Sequence, residues 1–177
     1  ASFPDSLKTI GESAFYGESG LTELVLPEAL EVVEAYAFKN CTSVTSIHLP
    51  ETLKTIKESA FYGCSSVKEL TIPASANTIG DYAFYDLPVL KSVSFDSNSD
   101  VVSIGNYAFA YCTKLSEFTI PASMREIGDY AFQSCTALVE VAFEEGDQSM
   151  TFGQYVFNDC LELARVTLSA AVEMLPI

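Results

Sequence analysis

The chain has 177 residues, of which 49% are hydrophobic and 19% charged, and this composition predicts a folded chain. Its net charge is −15, from 24 acidic and 9 basic residues, which repels phosphate backbones and anionic lipid headgroups. We therefore expect no nucleic-acid partner, and because no apolar run approaches the roughly 18 residues of a membrane span, we expect no membrane insertion. We attribute the acidity to solubility rather than to a cationic partner.

An Ala-Phe pair recurs along the chain and sets its period. Its phenylalanines are Phe15, Phe38, Phe61, Phe84, Phe109, Phe132 and Phe157, with Val156 in place of Ala in the last copy. Subtracting successive residue numbers gives steps of 23, 23, 23, 25, 23 and 25 residues. A fixed period in this range predicts a solenoid of about seven stacked repeats, with the core running as a column through the coils.

The first element of each repeat lies ahead of the phenylalanine. Five residues before it an apolar residue recurs, usually followed by glycine, as at Ile104 and Gly105. Because Glu34 and Lys57 replace that glycine in two repeats, the position permits positive φ without requiring it. The next segment, such as residues 129–132, is predicted to be a single helical or 3₁₀ turn.

The second element is a strand. Nine and eleven residues after each phenylalanine stand two apolar columns that face inward, and the residue between them faces outward. Strands one period apart pair side by side, so the repeats predict a parallel sheet. Proline ends four of these strands, at Pro27, Pro50, Pro73 and Pro121. Both 25-residue steps place their extra residues after the strand, in residues 96–100 and 144–148, on one rim.

Cysteine recurs three residues after the phenylalanine, at Cys41, Cys64, Cys112, Cys135 and Cys160. Neighbouring coils would hold these residues about 5 Å apart, within reach of a disulfide. Side chains in a ladder point alongside one another, however, and Leu87 occupies the same column. We predict buried free thiols rather than bridges.

Tyrosine forms another ladder, one residue before the Ala, at Tyr36, Tyr82, Tyr107, Tyr130 and Tyr155. We expect these rings to stack on the back of the coils and shield the backbone. A carbohydrate or protein contact is the alternative.

The pattern Leu-x-x-Leu-x-Leu-Pro, preceded by Ile-Gly-x-x-Ala-Phe-x-x-Cys as in residues 127–135, closely resembles the BspA-type leucine-rich repeats. The resemblance covers almost the whole chain. It implies one leucine-rich-repeat domain over residues 1–177, a right-handed α/β-type horseshoe rich in β-structure. The parallel sheet would line its concave face, with short turns and short strands on the convex side. Such proteins are typically bacterial, secreted or on the cell surface, and several are implicated in adhesion.

Both ends of the chain fall inside a repeat. Pro4 is in register with Pro27, and Leu175 with Ile127. We therefore expect the chain to be an excised segment of a longer protein. Exposed terminal coils would favour end-to-end self-association.

Catalytic groups are sparse in this sequence. His48 is the only histidine, so neither a catalytic triad nor a two-histidine metal site can be assembled. Residues 96–100 begin like a calcium loop, but Val101 and Tyr107 stand where that loop needs glycine and glutamate. We predict no enzyme activity, no cofactor and no metal.

The outward strand positions make a shallow concave face of short, intermittently acidic side chains. The predicted ligand-binding residues are Glu23, Ser46, His48, Glu69, Thr71, Ser92, Glu117, Thr119 and Glu140. Solenoid sheets commonly recognise proteins, so we predict a protein ligand, such as a host extracellular-matrix or surface protein. The alternative is a structural spacer that presents another domain away from the cell surface.

Overall fold

The computed structural model describes residues 3–145 and 149–167. The predictions made for residues 146–148 and for Leu175 lie outside this part of the chain. Seven coils follow one another, each with a two-residue strand, a turn that carries the phenylalanine, and a longer strand. The predicted solenoid of about seven repeats is confirmed.

The two-residue strands pair in parallel as one seven-stranded sheet, which we call the short-strand sheet. Its members are Thr9–Ile10 (β1), Val32–Val33 (β3), Thr55–Ile56 (β5), Thr78–Ile79 (β7), Ser103–Ile104 (β9), Glu126–Ile127 (β11) and Thr151–Phe152 (β13). Partners lie one period apart, as Ile79 lies beside Ile104. The second residue of each strand points into the core, which explains the apolar column ahead of each phenylalanine.

The longer strands form the second side of the solenoid, which we call the long-strand face. They are Glu23–Val25 (β2), Ser46–His48 (β4), Glu69–Ile72 (β6), Ser92–Phe95 (β8), Glu117–Ile120 (β10), Glu140–Phe143 (β12) and Arg165–Thr167 (β14). They pair in parallel with the predicted register, Glu23 beside Ser46 and Glu69 beside Ser92. The ladder divides into three sheets, β2-β4, β6-β8 and β10-β12-β14, although β4 remains adjacent to β6 and β8 to β10.

The phenylalanine segments are turns, and no α- or 3₁₀-helix occurs among the described residues. Positive φ recurs two residues before and two residues after each phenylalanine, at Ser13, Gly17, Tyr36, Asn40, Ser59, Gly63, Tyr82, Asp86, Tyr107, Tyr111, Tyr130, Ser134, Tyr155 and Asp159. A helix would use the backbone N–H groups within one coil. These turns direct every second N–H group to the next coil instead, so that Phe38 N donates to Ala60 O at 2.8 Å, while Lys39 N donates to Tyr36 O within its own coil.

Glycine after the short strand has a different role from the one predicted. Gly80, Gly105, Gly128 and Gly153 have no positive φ. A Cβ on Gly128 would lie 2.6 Å from the backbone nitrogen of Asn106 in the preceding coil. Glycine is therefore required there by close approach of two backbones.

One column of aromatic rings runs through the core. The seven phenylalanines stack in sequence, with ring centroids 5.2–5.6 Å apart. Beside them the five cysteines are free, as predicted, and each thiol donates to a phenylalanine carbonyl of the preceding coil. The cysteine column therefore links neighbouring coils through hydrogen bonds and also fills space in the core.

Candidate ligand-binding face

The predicted binding residues all lie on the long-strand face, because their strands alternate. Leu24 and Leu70 are buried, while Glu23 and Glu69 beside them are exposed. Eight of the nine predicted side chains are exposed, and Glu140 is partly buried. The parallel register therefore gathers them into columns on one surface.

The middle of this face is lined with hydroxyl groups. Thr71 lies beside Ser94 across the β6-β8 pair, with 3.1 Å between Oγ1 and Oγ. Ser92 faces Glu69 on the same pair. These short side chains leave a shallow surface with hydrogen-bonding capacity at each step of the ladder.

Two carboxylates of this face are neighbours in the fifth and sixth coils. Glu117 lies directly opposite Glu140, an unfavourable arrangement of like charges. Arg165 on the next strand offsets it, because its Nη1 lies 2.9 Å from Glu140 Oε2. Among the described residues, Glu23, Glu69 and Glu117 form no ion pair, so their carboxylates face solvent.

His48 stands apart from any catalytic arrangement. Its Nε2 lies 3.9 Å from Glu28 Oε1, and both side chains are mostly exposed. Across the strand pair it faces Val25, an exposed apolar side chain. Within residues 3–145 and 149–167, no group of three acidic, histidine or cysteine side chains is placed to hold a metal ion.

An acidic rim that sequence inspection did not identify borders the long-strand face. Glu51 and Asp96 meet across the small Ala74, and the hydrogen bond between their side chains raises the pKa of Glu51. On the same rim Glu144 Oε2 accepts from Ala122 N at 3.1 Å. The signal was an acidic residue at or just after the proline position, as at Glu51, Asp96 and Glu144, but only the folded coils show which of these carboxylates meet.

The short-strand side holds a depression of about 420 Å³ that is lined by Glu34, Lys57, Glu58, Gly80 and Asp81, among others. Its charged side chains already have partners: Lys57 Nζ lies 2.8 Å from Glu34 Oε2, and the carboxylates of Glu58 and Asp81 each accept a hydrogen bond at 2.7 Å, from the Tyr36 hydroxyl and from Asn106 N. The neighbouring ion-pair column of Lys8, Glu31 and Lys54 likewise joins one coil to the next. These side chains hold coils together, so this depression offers no free group for chemistry.

Parallel coils of this period, with buried apolar columns and an exposed strand face, define a leucine-rich-repeat solenoid. The chain belongs to the family described as BspA type leucine rich repeat region, which matches it in six copies over residues 1–103 and 90–176. The resemblance found in the sequence is therefore confirmed. The described residues include no helix of the length and hydropathy that crossing a bilayer requires.

Several solved structures share the fold. A leucine rich repeat protein of T. pallidum is 27% identical, with a TM-score of 0.74, over 89% of this chain and 72% of that one. A leucine rich cell surface protein of Faecalibacterium prausnitzii is 20% identical, with a TM-score of 0.59, over 98% of this chain and 61% of that one. The pneumococcal vaccine antigen PcpA is 19% identical, with a TM-score of 0.62, over 94% of this chain and 57% of that one.

The last two similarities show the fold alone, and the chain spans less than two thirds of either protein. No curated protein matches the chain.

Proposed function

We propose that this chain is a non-enzymatic protein-binding module of a cell-surface or secreted bacterial protein, and that its long-strand face contacts the ligand in adhesion or host-protein recognition. The observation that carries the proposal is that the parallel register places the nine predicted side chains on one face, eight of them exposed and Glu140 partly buried. A surface of this kind offers a regular row of hydrogen-bonding groups and carboxylates to a partner. The description of a structural neighbour as a cell surface protein supports the location.

A structural spacer is the second candidate. None of the nine side chains is Trp, Tyr or Arg, the residues in which binding energy at protein interfaces is concentrated. A face without such anchors binds through many weak contacts, or it serves only as the surface of a rod that holds another domain outward.

The test is binding to a panel of extracellular-matrix and plasma proteins at physiological salt, measured by surface plasmon resonance. The variant Glu69→Lys/Glu117→Lys reverses two carboxylates on the long-strand face. Its matched control is Glu12→Lys/Glu126→Lys, which reverses two exposed carboxylates elsewhere. Each pair of substitutions changes the net charge by +4, so the field of the whole protein alters equally.

Loss of a partner by the long-strand variant alone would support the binding module. Equal loss by both variants would mean that only overall charge matters. No binding by the unmodified chain to any member of the panel would favour the spacer.

A further inference from the structure

Tyrosine rings form a connected network on the turns, away from the long-strand face. We call it the tyrosine belt, and its members are Tyr62, Tyr82, Tyr85, Tyr107, Tyr111, Tyr130 and Tyr155. Their neighbouring centroids lie 4.7–5.6 Å apart, from the third coil to the seventh. The expected stacking is present for Tyr82, Tyr107, Tyr130 and Tyr155, whereas Tyr36 lies outside it and its hydroxyl donates to Glu58 Oε1. The belt is also broader than the predicted ladder, because the turns bring a second column of tyrosines against it.

The belt already holds one cation of the chain itself. Lys39 Nζ lies 4.1 Å from the ring centroid of Tyr62 and 5.2 Å from that of Tyr36. An ammonium group over an aromatic face is a favourable electrostatic contact. Lys39 follows Phe38 directly, and in the fifth coil the equivalent residue is Ala110, so the chain supplies no lysine to the belt there.

Tyr111 is an exposed ring of the belt, and no lysine or arginine of the described residues lies over it. Tyr111 is 38% exposed and tilted by 54° to Tyr85, and the small Ser134 occupies its position in the next coil. Its ring is therefore not stacked against a ring of the following coil. Asp86 is exposed beside Tyr85, and its carboxylate adds negative charge to this part of the belt.

The phenols of Tyr85, Tyr107 and Tyr130 stay neutral at physiological pH. Burial is the main cause that raises the pKa of Tyr85 to about 12, and the neighbouring tyrosines and Asp86 add to it. Burial likewise raises the pKa of Tyr107 and Tyr130, with a contribution from Asp129. The belt thus offers electron-rich rings together with carboxylates.

We propose that the tyrosine belt is a second interaction surface whose partner is a protein segment rich in lysine or arginine. Side-chain cations of the partner sit over Tyr111 as Lys39 sits over Tyr62, and Asp86 accepts charge-assisted hydrogen bonds from them. Tyrosine suits such a surface because it supplies a large amphipathic contact area at low entropic cost. Part of the acidity attributed above to solubility then has a specific use.

The test uses the whole chain and a short synthetic peptide of alternating lysine and glycine, with affinity measured by calorimetry at physiological salt. Tyr111→Ser removes the ring but keeps the net charge, and serine already occupies this position in the next coil with φ 56°. We expect affinity to fall about fivefold or more, and Tyr111→Phe, which keeps the ring, to stay within about twofold of the unmodified chain.

Asp86→Asn tests the carboxylate, and asparagine already occupies the equivalent position at Asn40 with φ 61°. Its control is Glu12→Gln in the first coil, an exposed carboxylate outside the belt, and this change removes the same charge. We expect the first substitution to weaken binding several-fold more than the second. Equal effects would show attraction by net charge alone and would overturn the proposal, as would unchanged binding by Tyr111→Ser.

NMR signals of the tyrosine rings in the unmodified chain provide a second measurement, which does not depend on whether a variant folds. The peptide must shift the ring signals of Tyr85 and Tyr111, and absence of those shifts would refute the proposal. A neutral oligosaccharide that shifts them when the peptide does not would assign the belt to glycans instead.

Discussion

The backbone nitrogen of Asp81 lies 2.5 Å from the point where a Cβ on Gly105 would stand. The later coils repeat this relationship, with glycine against the backbone of the preceding coil. The residue after the glycine also links neighbouring coils by a hydrogen bond. Asp81, which follows Gly80, accepts through its Oδ1 from Asn106 N of the next coil at 2.7 Å. In the earlier coils Glu34 and Lys57 take the glycine position and join through an ion pair instead.

Gly105→Ala should therefore destabilise the fold by about 1–3 kcal/mol, because the added methyl group pushes two backbones apart. Gly11→Ala is the matched control, since no atom lies within 4 Å of its would-be Cβ, and it should lose no stability. Urea unfolding midpoints measure both. Similar midpoints for the two variants would mean that the coils separate without cost.

The positive φ of Ser134 leads to a second prediction. Its φ is 56°, and its N–H donates to Asn158 O at 2.8 Å in the next coil. Ser134→Val should cost about 1–2 kcal/mol, because a β-branched side chain disfavours this conformation. Ser134→Gly should be tolerated. Thermal unfolding of the two variants compares them, and equal melting temperatures would argue against the strain.

Glu31 should titrate well below an ordinary glutamate. Hydrogen bonds from Lys54 and Lys8 lower its pKa from 4.5 to about 2. Since the folded value is the lower one, the associated stability is present above pH 4.5 and is lost as pH falls toward 2. Both ion pairs of Glu31 lie at the protein surface, so their effect on the free energy of unfolding should be small.

Lys54→Met tests this assignment directly. It should move the pKa of Glu31 back toward 4.5, as measured by carbon NMR of the carboxyl group. Lys91→Met, at an exposed lysine outside the column, should leave it in place. A Glu31 pKa that Lys54→Met does not change would remove Lys54 as the cause.

Thiol labelling should distinguish the cysteines. Burial raises the pKa of Cys64 and of Cys112 to about 12, so few of these thiols are ionised in the folded chain. Cys160 is only partly buried. Iodoacetamide at about pH 8 should modify Cys160 first, with mass spectrometry of peptides as the readout. Uniform labelling would indicate that the coils open faster than the reagent reacts.

The repeat pattern was sufficient to predict the solenoid, the parallel register, the buried thiols and the outward orientation of the residues proposed to bind a ligand. It did not predict the turn conformation, because tyrosine at positive φ runs against local preference. Coil-to-coil hydrogen bonds such as Phe61 N to Ala83 O, at 2.9 Å, impose that conformation. The role of Gly105 was missed for a related reason, since it depends on the distance between two coils.

The long-strand face could be predicted from the sequence, whereas the tyrosine belt could be predicted only in part. Alternation along a strand shows which side chains point outward, so the sequence placed Glu69 and Thr71 correctly. The contact of Tyr82 with Tyr85, at 5.6 Å, depends on how a turn folds back on itself. No periodicity encodes that contact. The protein ligand and end-to-end association remain predictions.

The two interruptions in the long-strand ladder give the molecule a mechanical asymmetry. The short-strand sheet runs unbroken through seven strands and acts as a stiff spine. The long-strand face consists of three separate sheets. Their boundaries lie between His48 and Thr71 and between Ser94 and Thr119, where the strands are not joined by ladder hydrogen bonds. We therefore expect bending to concentrate at those two boundaries while the short-strand sheet keeps its pitch.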